Sequence, residues 1–421
     1  MTVCDKIKDI RLQLKLSQAD LAKRMFIHKS LISKFENGQR AITADVLDKF
    51  RQALGLQGVP ITPEEVLLFE EELYNWKSLM LYGDIEAAKA CKHKLEPGAK
   101  WCTEPHLKDL YDIFSVIFYR MQGDTQSCKK VLASLSERAE GFTGEYLYWY
   151  YRLVAVDELT NRQYKKAFAT FLKAEKLDKH LSLSDEGTYY NMGYCLTEMG
   201  YSFLAIEYTN KAIQKAAEKA NNSYGVYEQL QLASNYGRIG WTGKAIALLN
   251  SCLRDEKAKK DAKETIGLIY SSIAMVYHES GDSGKAIEFL NTAEGYYSKG
   301  TDECAYNQYC KARVLLECSK VREGLKIINN ALNAKIINTT RHELFITLKH
   351  SVSLHNDESR KYIEETAIPS LLERGNYLPV VRYCNNLSTY YEGTQRYQDA
   401  LQYSNIALNI TQKLLKGDLI L

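Results

Sequence analysis

Small residues recur along this chain at a nearly constant interval, and this recurrence restricts the fold more than any other feature. Seven small residues, here called anchor residues, mark it: Ala88, Cys128, Ala167, Ala205, Ala245, Ala286 and Ala400. With Gly324 and Tyr362 as looser members, consecutive anchors lie 38 to 41 residues apart. A glycine precedes five of the anchors by five residues. Such a period is typical of stacked helical hairpins, each of which buries its faces against its neighbours.

Two stretches show the repeat clearly. Residues 193–213 (GYCLTEMGYSFLAIEYTNKAI) and 271–293 (SSIAMVYHESGDSGKAIEFLNTA) resemble tetratricopeptide repeats. The nominal repeat of that family has about 34 residues, so the helices or loops here are slightly longer. The resemblance implies a right-handed superhelix of about nine repeats over roughly residues 66–412. The alternative is a helical array of another type.

The composition agrees with an ordered, all-α chain, since it has only six prolines and 45% hydrophobic residues. No secretory signal opens the chain and no apolar run approaches the roughly 18 residues of a membrane span, so we expect a cytoplasmic protein without a membrane partner. The ten cysteines form no CxxC pair and no cluster with zinc-finger spacing. We therefore expect no metal and no other cofactor. No phosphate loop, nucleophile elbow or HExxH motif is present, so we expect no enzyme activity.

The first 57 residues differ from the rest in charge and in spacing. They carry a net charge of +5 and the remainder carries −2, which places any affinity for nucleic acid in this head. Apolar residues at helical spacing predict four or five short helices over residues 3–56. Ser17 suits the N-cap of the second helix, and Gly38 suits the end of the third. A tight turn at residues 26–28 between two of these helices fits a helix-turn-helix.

Residues 17–25 (SQADLAKRM) and 30–38 (SLISKFENG) together closely resemble the Cro/CI (XRE) family of helix-turn-helix domains, over roughly residues 5–56. The resemblance implies that the second helix of the pair enters the major groove. It makes four residues candidate base readers: Lys29, Ser30, Ser33 and Lys34. It makes four others candidate contacts to the DNA backbone: Gln18, His28, Asn37 and Arg40. The alternative for both lysines is a solvated side chain that touches only phosphate.

Glu36 and Phe26 are two further positions of the head for which the sequence gives an expectation. We expect Glu36 to be a hydrogen-bond partner inside the head rather than a base contact. Phe26 departs from the family pattern, in which glycine is common, because the turn often needs a positive φ that a bulky residue adopts only with strain. We therefore expect a modified turn at this point.

The head is followed by a short break in the helical pattern. Gly58 and Pro60 interrupt the pattern, and residues 62–65 (TPEE) then fit a capping box that starts a new helix. We predict a DNA-binding domain over residues 1–57, a linker over residues 58–65, and a helical repeat domain with a C-terminal capping helix over residues 66–421.

In a tetratricopeptide array, the first helix of each hairpin lines the groove. Projecting its inward positions onto this sequence gives eleven candidate peptide-binding residues: Arg152, Tyr190, Asn191, Tyr194, Tyr227, Gln231, Arg238, Tyr309, Arg313, Asn385 and Asn386. Carboxamides both donate and accept, which suits the backbone of an extended peptide, and arginines can hold a carboxylate. For any single member, a packing or solvated role is the alternative.

A Cro/CI-type head followed by a tetratricopeptide array resembles the RRNPP family of peptide-responsive regulators, with nine repeats closest to its NprR-like and AimR-like members. The resemblance implies a quorum-sensing transcription regulator in which a short signalling peptide changes the geometry of a homodimer, or of a tetramer, on operator DNA. The alternative is a Rap-like regulator that sequesters or inhibits a response regulator protein, alone or in addition to DNA binding.

Overall fold

The chain folds into helices throughout the part that the structure describes. This computed structural model describes residues 2–81, 83–181, 186–218, 225–254, 263–334 and 338–418. No strand occurs in those ranges, and none of their helices has the length and apolar character needed to cross a membrane. The predicted all-α fold, with a helix-turn-helix head followed by tetratricopeptide-type repeats, is confirmed.

Four short helices make up the head: α1 Val3–Gln13, α2 Gln18–Arg24, α3 Lys29–Glu36 and α4 Ala44–Leu54. Ser17 caps α2 as predicted, because its hydroxyl accepts from the Asp20 amide while the Asp20 carboxylate accepts from the Ser17 amide. Gly38 adopts a φ of 68° after the end of α3, where a left-handed residue commonly terminates a helix. Apolar side chains of all four helices, including Ile7 and Phe50, form the core of the head.

Nine successive helical hairpins follow within the described ranges. Their helices are α5 Pro63–Leu81, α6 Ile85–Trp101, α7 Pro105–Met121, α8 Thr125–Arg138, α9 Gly144–Thr160, α10 Tyr164–Leu181, α11 Glu186–Met199, α12 Ser202–Glu218, α13 Gly225–Arg238, α14 Thr242–Arg254, α15 Lys263–Glu279, α16 Ser283–Glu294, α17 Asp302–Glu317, α18 Val321–Asn333, α19 Thr339–Ser351, α20 Asp357–Lys361, α21 Ile368–Arg374, α22 Tyr377–Gly393 and α23 Tyr397–Lys416. A π-helical turn, Tyr362–Ala367, joins α20 to α21. These three segments together form the second helix of the eighth hairpin.

The seven small anchor residues lie in the first turn of the second helix of their hairpins. All seven small anchors are buried, and every glycine five residues before an anchor has a positive φ. Three hairpins hold a residue other than glycine in that left-handed position, with φ near 60°: Arg162, Ser319 and Gln395. In the eighth hairpin Ile363 is fully buried rather than the neighbouring Tyr362, at the start of the π-helical turn.

Residues 1–153 form one compact unit, in which the head and the first hairpins are packed together. Val59 and Ile61, from the predicted linker, are buried in the core of the head, and Trp101 at the end of α6 packs against the same core. Arg51 stabilises the junction, since its guanidinium donates to the Val59 carbonyl oxygen at 3.0 Å and forms an ion pair with Glu65 at 2.5 Å. The junction is therefore a packed segment with fixed contacts.

Residues 154–421 form a second compact unit, in which the stack of hairpins returns on itself. Helices α10 and α11 contact α21 and α22, and we call this the closing contact. The Tyr201 ring lies edge-on to Tyr377 in one shared hydrophobic core, and the Tyr201 hydroxyl donates to the Asp418 carbonyl oxygen at 2.9 Å. At Gly200 a Cβ atom would lie only 2.9 Å from the Leu378 side chain. The closing contact therefore depends on a glycine at position 200.

Candidate functional site

The outer face of α3 is the candidate DNA-binding surface of the head. Lys29, Ser30 and Lys34 are exposed there, and Ser33 is half-buried. His28 caps the helix, because its Nδ1 accepts from the Ser30 amide at 3.2 Å. The first turn of α3 thus presents Lys29 and Ser30 to solvent, at the end of the helix that contacts base edges in helix-turn-helix complexes.

The other predicted backbone contacts surround this face. Asn37 and Arg40 are exposed just after α3. Gln18 is half-buried, and its amide donates to Glu36 Oε2 at 2.9 Å. Glu36 is buried and also accepts from Arg11 at 2.6 and 2.9 Å. The predicted structural role of Glu36 is confirmed, and its carboxylate ties together the helices that position α3.

The turn between α2 and α3 keeps the left-handed backbone that glycine would provide. Phe26 adopts a φ of 55°, and its side chain is 95% exposed. The expectation of a modified turn is therefore wrong, since the bulky residue accepts the strained conformation, at a cost of about 1–2 kcal/mol. The ring lies in solvent directly before the recognition helix.

A pocket of about 1100 Å³ lies within the unit formed by residues 154–421. Ligand pockets reach about 1,000 Å³, so this one has room for a ligand larger than most metabolites. One repeat position lines it in five successive hairpins, 18 residues before the anchor: Tyr227, Leu268, Tyr306, Leu344 and Arg382. Residues 7 and 11 positions further along share the same face of an α-helix, and several of them extend the lining.

The predicted peptide-binding residues fall into two groups according to their position within the repeat, and only one group lines the pocket almost throughout. The four predicted at 18, 11 or 7 residues before an anchor all line the pocket: Tyr194, Tyr227, Arg238 and Arg313. Of the seven predicted at 14 or 15 residues before an anchor, Tyr309 lines the pocket. The other six lie outside the lining: Arg152, Tyr190, Asn191, Gln231, Asn385 and Asn386.

Two of these six have packing contacts that account for their placement. Gln231 is buried, and its amide donates to Thr209 Oγ1 at 2.7 Å, so the carboxamide joins neighbouring hairpins. Arg152 belongs to the unit of residues 1–153, where its guanidinium lies 5.2 Å from the centre of the Trp149 ring. Of the others, Asn385 is exposed and Asn386 is half-buried.

Tyrosine hydroxyls give one wall of the pocket its polar character. The negative charge of Glu198, one helical turn away, and burial raise the pKa of Tyr194 well above its ordinary value. Burial and the same carboxylate raise the pKa of Tyr164. Both hydroxyls are therefore protonated at neutral pH and available as hydrogen-bond donors.

Five arginines line the pocket: Arg162, Arg238, Arg313, Arg341 and Arg382. Two of them, Arg341 and Arg238, donate hydrogen bonds to oxygen atoms of neighbouring residues. Arg341 donates to both carboxylate oxygens of Asp302, at 3.0 and 2.7 Å, and Arg238 donates to the Thr197 carbonyl oxygen. Three of the five, Arg162, Arg341 and Arg382, were not predicted from the sequence, although Arg382 shares the repeat position of the predicted Tyr227.

Arg313 and Arg382 meet at one carboxylate. Glu317 Oε1 lies 3.8 Å from Arg313 Nε and 3.3 Å from Arg382 Nε, and Glu317 Oε2 lies 2.7 Å from His278 Nε2. Burial alone would raise the pKa of Glu317, but the hydrogen bond with His278 and the charges of the two arginines lower it to about 2. Glu317 therefore remains ionised across the physiological range.

Comparison with known families agrees with this architecture. A helix-turn-helix family model matches residues 7–59, and a tetratricopeptide repeat model matches residues 268–299. No curated protein sequence matches the chain. The fold and the two sites thus define a helix-turn-helix protein that carries a tetratricopeptide-type array with an internal pocket.

Solved structures share this fold at low sequence identity. The quorum sensor NprR in complex with its cognate peptide NprX has a TM-score of 0.71 and 16% identity, over 82% of this chain and 99% of that one. The apo form of NprR from B. thuringiensis has a TM-score of 0.60 and 16% identity, over 81% and 98%. A Rap protein complexed with competence and sporulation factor has a TM-score of 0.69 and 13% identity, over 83% and 99%. The resemblance to RRNPP regulators is confirmed at the level of the fold.

Proposed function

We propose that this chain is a cytoplasmic, peptide-responsive transcription regulator that acts as a homodimer or a tetramer. The head binds operator DNA through α3, and the pocket binds a short signalling peptide that alters the geometry of the heads. The observation that carries the proposal is a large pocket lined by tyrosines and arginines in the same chain as an exposed helix-turn-helix. The peptide complex of NprR, which has a similar fold, supports it.

The DNA-binding part of the proposal is tested by selecting duplexes from a random pool with the full chain at low salt. A base or phosphate contact is worth about 1–3 kcal/mol, so Lys29→Ala and Lys34→Ala are each expected to weaken binding of the selected duplex roughly 10-fold or more. Lys129→Ala, an exposed lysine of α8, is the matched control. Equal binding by Lys29→Ala, Lys34→Ala and the control would remove α3 from the interface.

The peptide-binding part is tested with a pool of random hexapeptides that have free termini. Peptides retained by the full chain are identified by mass spectrometry, and we expect Tyr306→Ala to lose them because it removes an aromatic wall of the pocket. Tyr397→Ala, at an exposed position of α23 outside the lining, is the control. Retention of the same peptides by wild type and by Tyr306→Ala would place binding elsewhere.

A second candidate function is that of a protein-binding regulator that sequesters a response regulator. The fold shared with a Rap protein over 83% of this chain supports it. Capture experiments with immobilised full chain, with and without the retained peptides, separate the two functions. A response regulator released by peptide would support the second function, and duplex binding that responds to peptide would support the first.

A further inference from the structure

Three arginines that line the pocket have a buried nitrogen atom with no hydrogen-bond partner among the described residues: Arg162 Nη1, Arg313 Nε and Arg382 Nη1. Arg162 Nη1 lies 3.8 Å from Glu343, which pairs with no second arginine of this group, whereas Arg313 and Arg382 depend on the same carboxylate. The nearest carboxylate oxygen to Arg313 Nε, that of Glu317, lies 3.8 Å away, which is beyond hydrogen-bond range. A buried donor left without an acceptor is costly, so native structures rarely keep one without a reason.

Arg341 is another arginine of this pocket, and its hydrogen bonds differ from those of Arg313 and Arg382. Arg341 lines the same pocket, but three of its hydrogen bonds go to Asp302, and its guanidinium also lies 4.4 Å from the centre of the Tyr306 ring. Arg313 and Arg382 instead share the single carboxylate of Glu317, which is also engaged by His278. One carboxylate cannot satisfy two guanidinium groups, each of which has five N–H donors. Both guanidinium groups therefore keep a donor that no described residue accepts from, on side chains that line the cavity.

We propose that Arg313 and Arg382 form a subsite for a carboxylate of the bound peptide, which rests on the peptide-binding function proposed above. A carboxylate supplies two acceptor oxygens in the plane of a guanidinium group, and charge-assisted hydrogen bonds of this kind are about twice as strong as neutral ones. The carboxylate comes either from the C-terminus of the peptide or from an aspartate or glutamate side chain. Glu317 keeps the two guanidinium groups near each other, since its Oε1 lies 3.8 Å from Arg313 Nε and 3.3 Å from Arg382 Nε.

The test uses the full chain and three synthetic hexapeptide pools. The first pool has a free C-terminus and no Asp or Glu, the second has an amidated C-terminus with Asp and Glu allowed, and the third is amidated and lacks both residues. We expect retention from the first or the second pool, according to the source of the carboxylate, and none from the third. Retention of the third pool to the same extent would overturn the subsite while leaving peptide binding intact, whereas retention of no pool would overturn both.

Variants locate the subsite. Arg382→Gln and Arg313→Gln are each expected to weaken the best retained peptide roughly 10- to 100-fold, since a hydrogen bond to a charged group contributes about 1.5–3 kcal/mol. Arg396→Gln, at the exposed arginine directly before α23, is the matched control and should bind like wild type. Arg382 is the more exposed of the pair, so Arg382→Gln serves if Arg313→Gln does not fold. Unchanged affinity of a folded Arg382→Gln for a carboxylate peptide would refute the assignment.

Discussion

Glu228 is a buried carboxyl group that should make the stability of this protein depend on pH. It lies in α13 with 2% of its surface exposed, and one of its oxygens has no hydrogen-bond partner among the residues that the structure describes. Burial, together with the negative charge of Glu186, raises its pKa from 4.5 to about 7. Between these two values the folded state binds a proton that the unfolded state has released, so the free energy of unfolding must fall as the pH rises.

The size of the effect follows from the shift. Each pKa unit corresponds to about 1.36 kcal/mol, so the ionised group costs the folded state about 3 kcal/mol above pH 7 and almost nothing below pH 4.5. Glu228→Gln keeps the shape of the protonated carboxyl and cannot ionise. The variant should therefore be more stable than wild type by about 2–3 kcal/mol near pH 8, and similar to wild type near pH 4.5.

Urea unfolding of the full chain, followed by circular dichroism at several pH values, measures this difference. Glu288→Gln, at an exposed position of α16, is the control and should show no such pH-dependent gain. A gain for Glu228→Gln that is the same at low and high pH would show that the fold does not disfavour the ionised carboxylate, and the reasoning would fail.

Three further predictions concern the closing contact, the hairpin turns and the head. Gly200→Ala should be more destabilising than Gly240→Ala, as measured by hydrogen exchange in α22. Both positions have a positive φ, but a Cβ at Gly200 would lie 2.9 Å from the Leu378 side chain, whereas one at Gly240 meets no atom of the described residues within 4 Å. Gln395→Gly should raise the melting temperature, since it relieves a left-handed φ of 59° worth about 1 kcal/mol, and a lower value would contradict this. Arg11→Ala should destabilise the head by about 3–5 kcal/mol because it removes the charged partner of the buried Glu36, and should abolish duplex binding on gel shift; full binding at wild-type stability would argue against it.

The local parts of the fold could be predicted because their causes lie close together in the sequence. The cap at Ser17, the stop at Gly38 and the spacing of the anchors each depend on a few neighbouring residues. The closing contact could not be predicted in this way. It arises from small rotations accumulated over several hairpins, and Gly200 occupies the same repeat position as Gly240, although only Gly200 meets another hairpin.

The lining of the pocket could be predicted only in part, because it too depends on contacts between hairpins. Side-chain chemistry favours carboxamides as peptide ligands, but it does not reveal that Thr209 already accepts from the amide of Gln231. The distance of a residue from its anchor is a better guide to the lining, since the position of Tyr227 recurs as Tyr306 and Arg382 there. A register defined by the repeat thus locates inward residues better than residue type does.

A linear stack of repeats is weakest at its ends, because a terminal unit has a neighbour on one side only. The ninth hairpin has a second neighbour in the fourth hairpin, since α22 contacts α11 and Tyr377 packs against Tyr201, which lies between α11 and α12. Amide protons of α22 should accordingly exchange with solvent as slowly as those in the middle of the unit, instead of fraying first. Loss of this hairpin would expose a face of the fourth hairpin as well, so unfolding of residues 154–421 should be cooperative where an open stack would melt piecemeal.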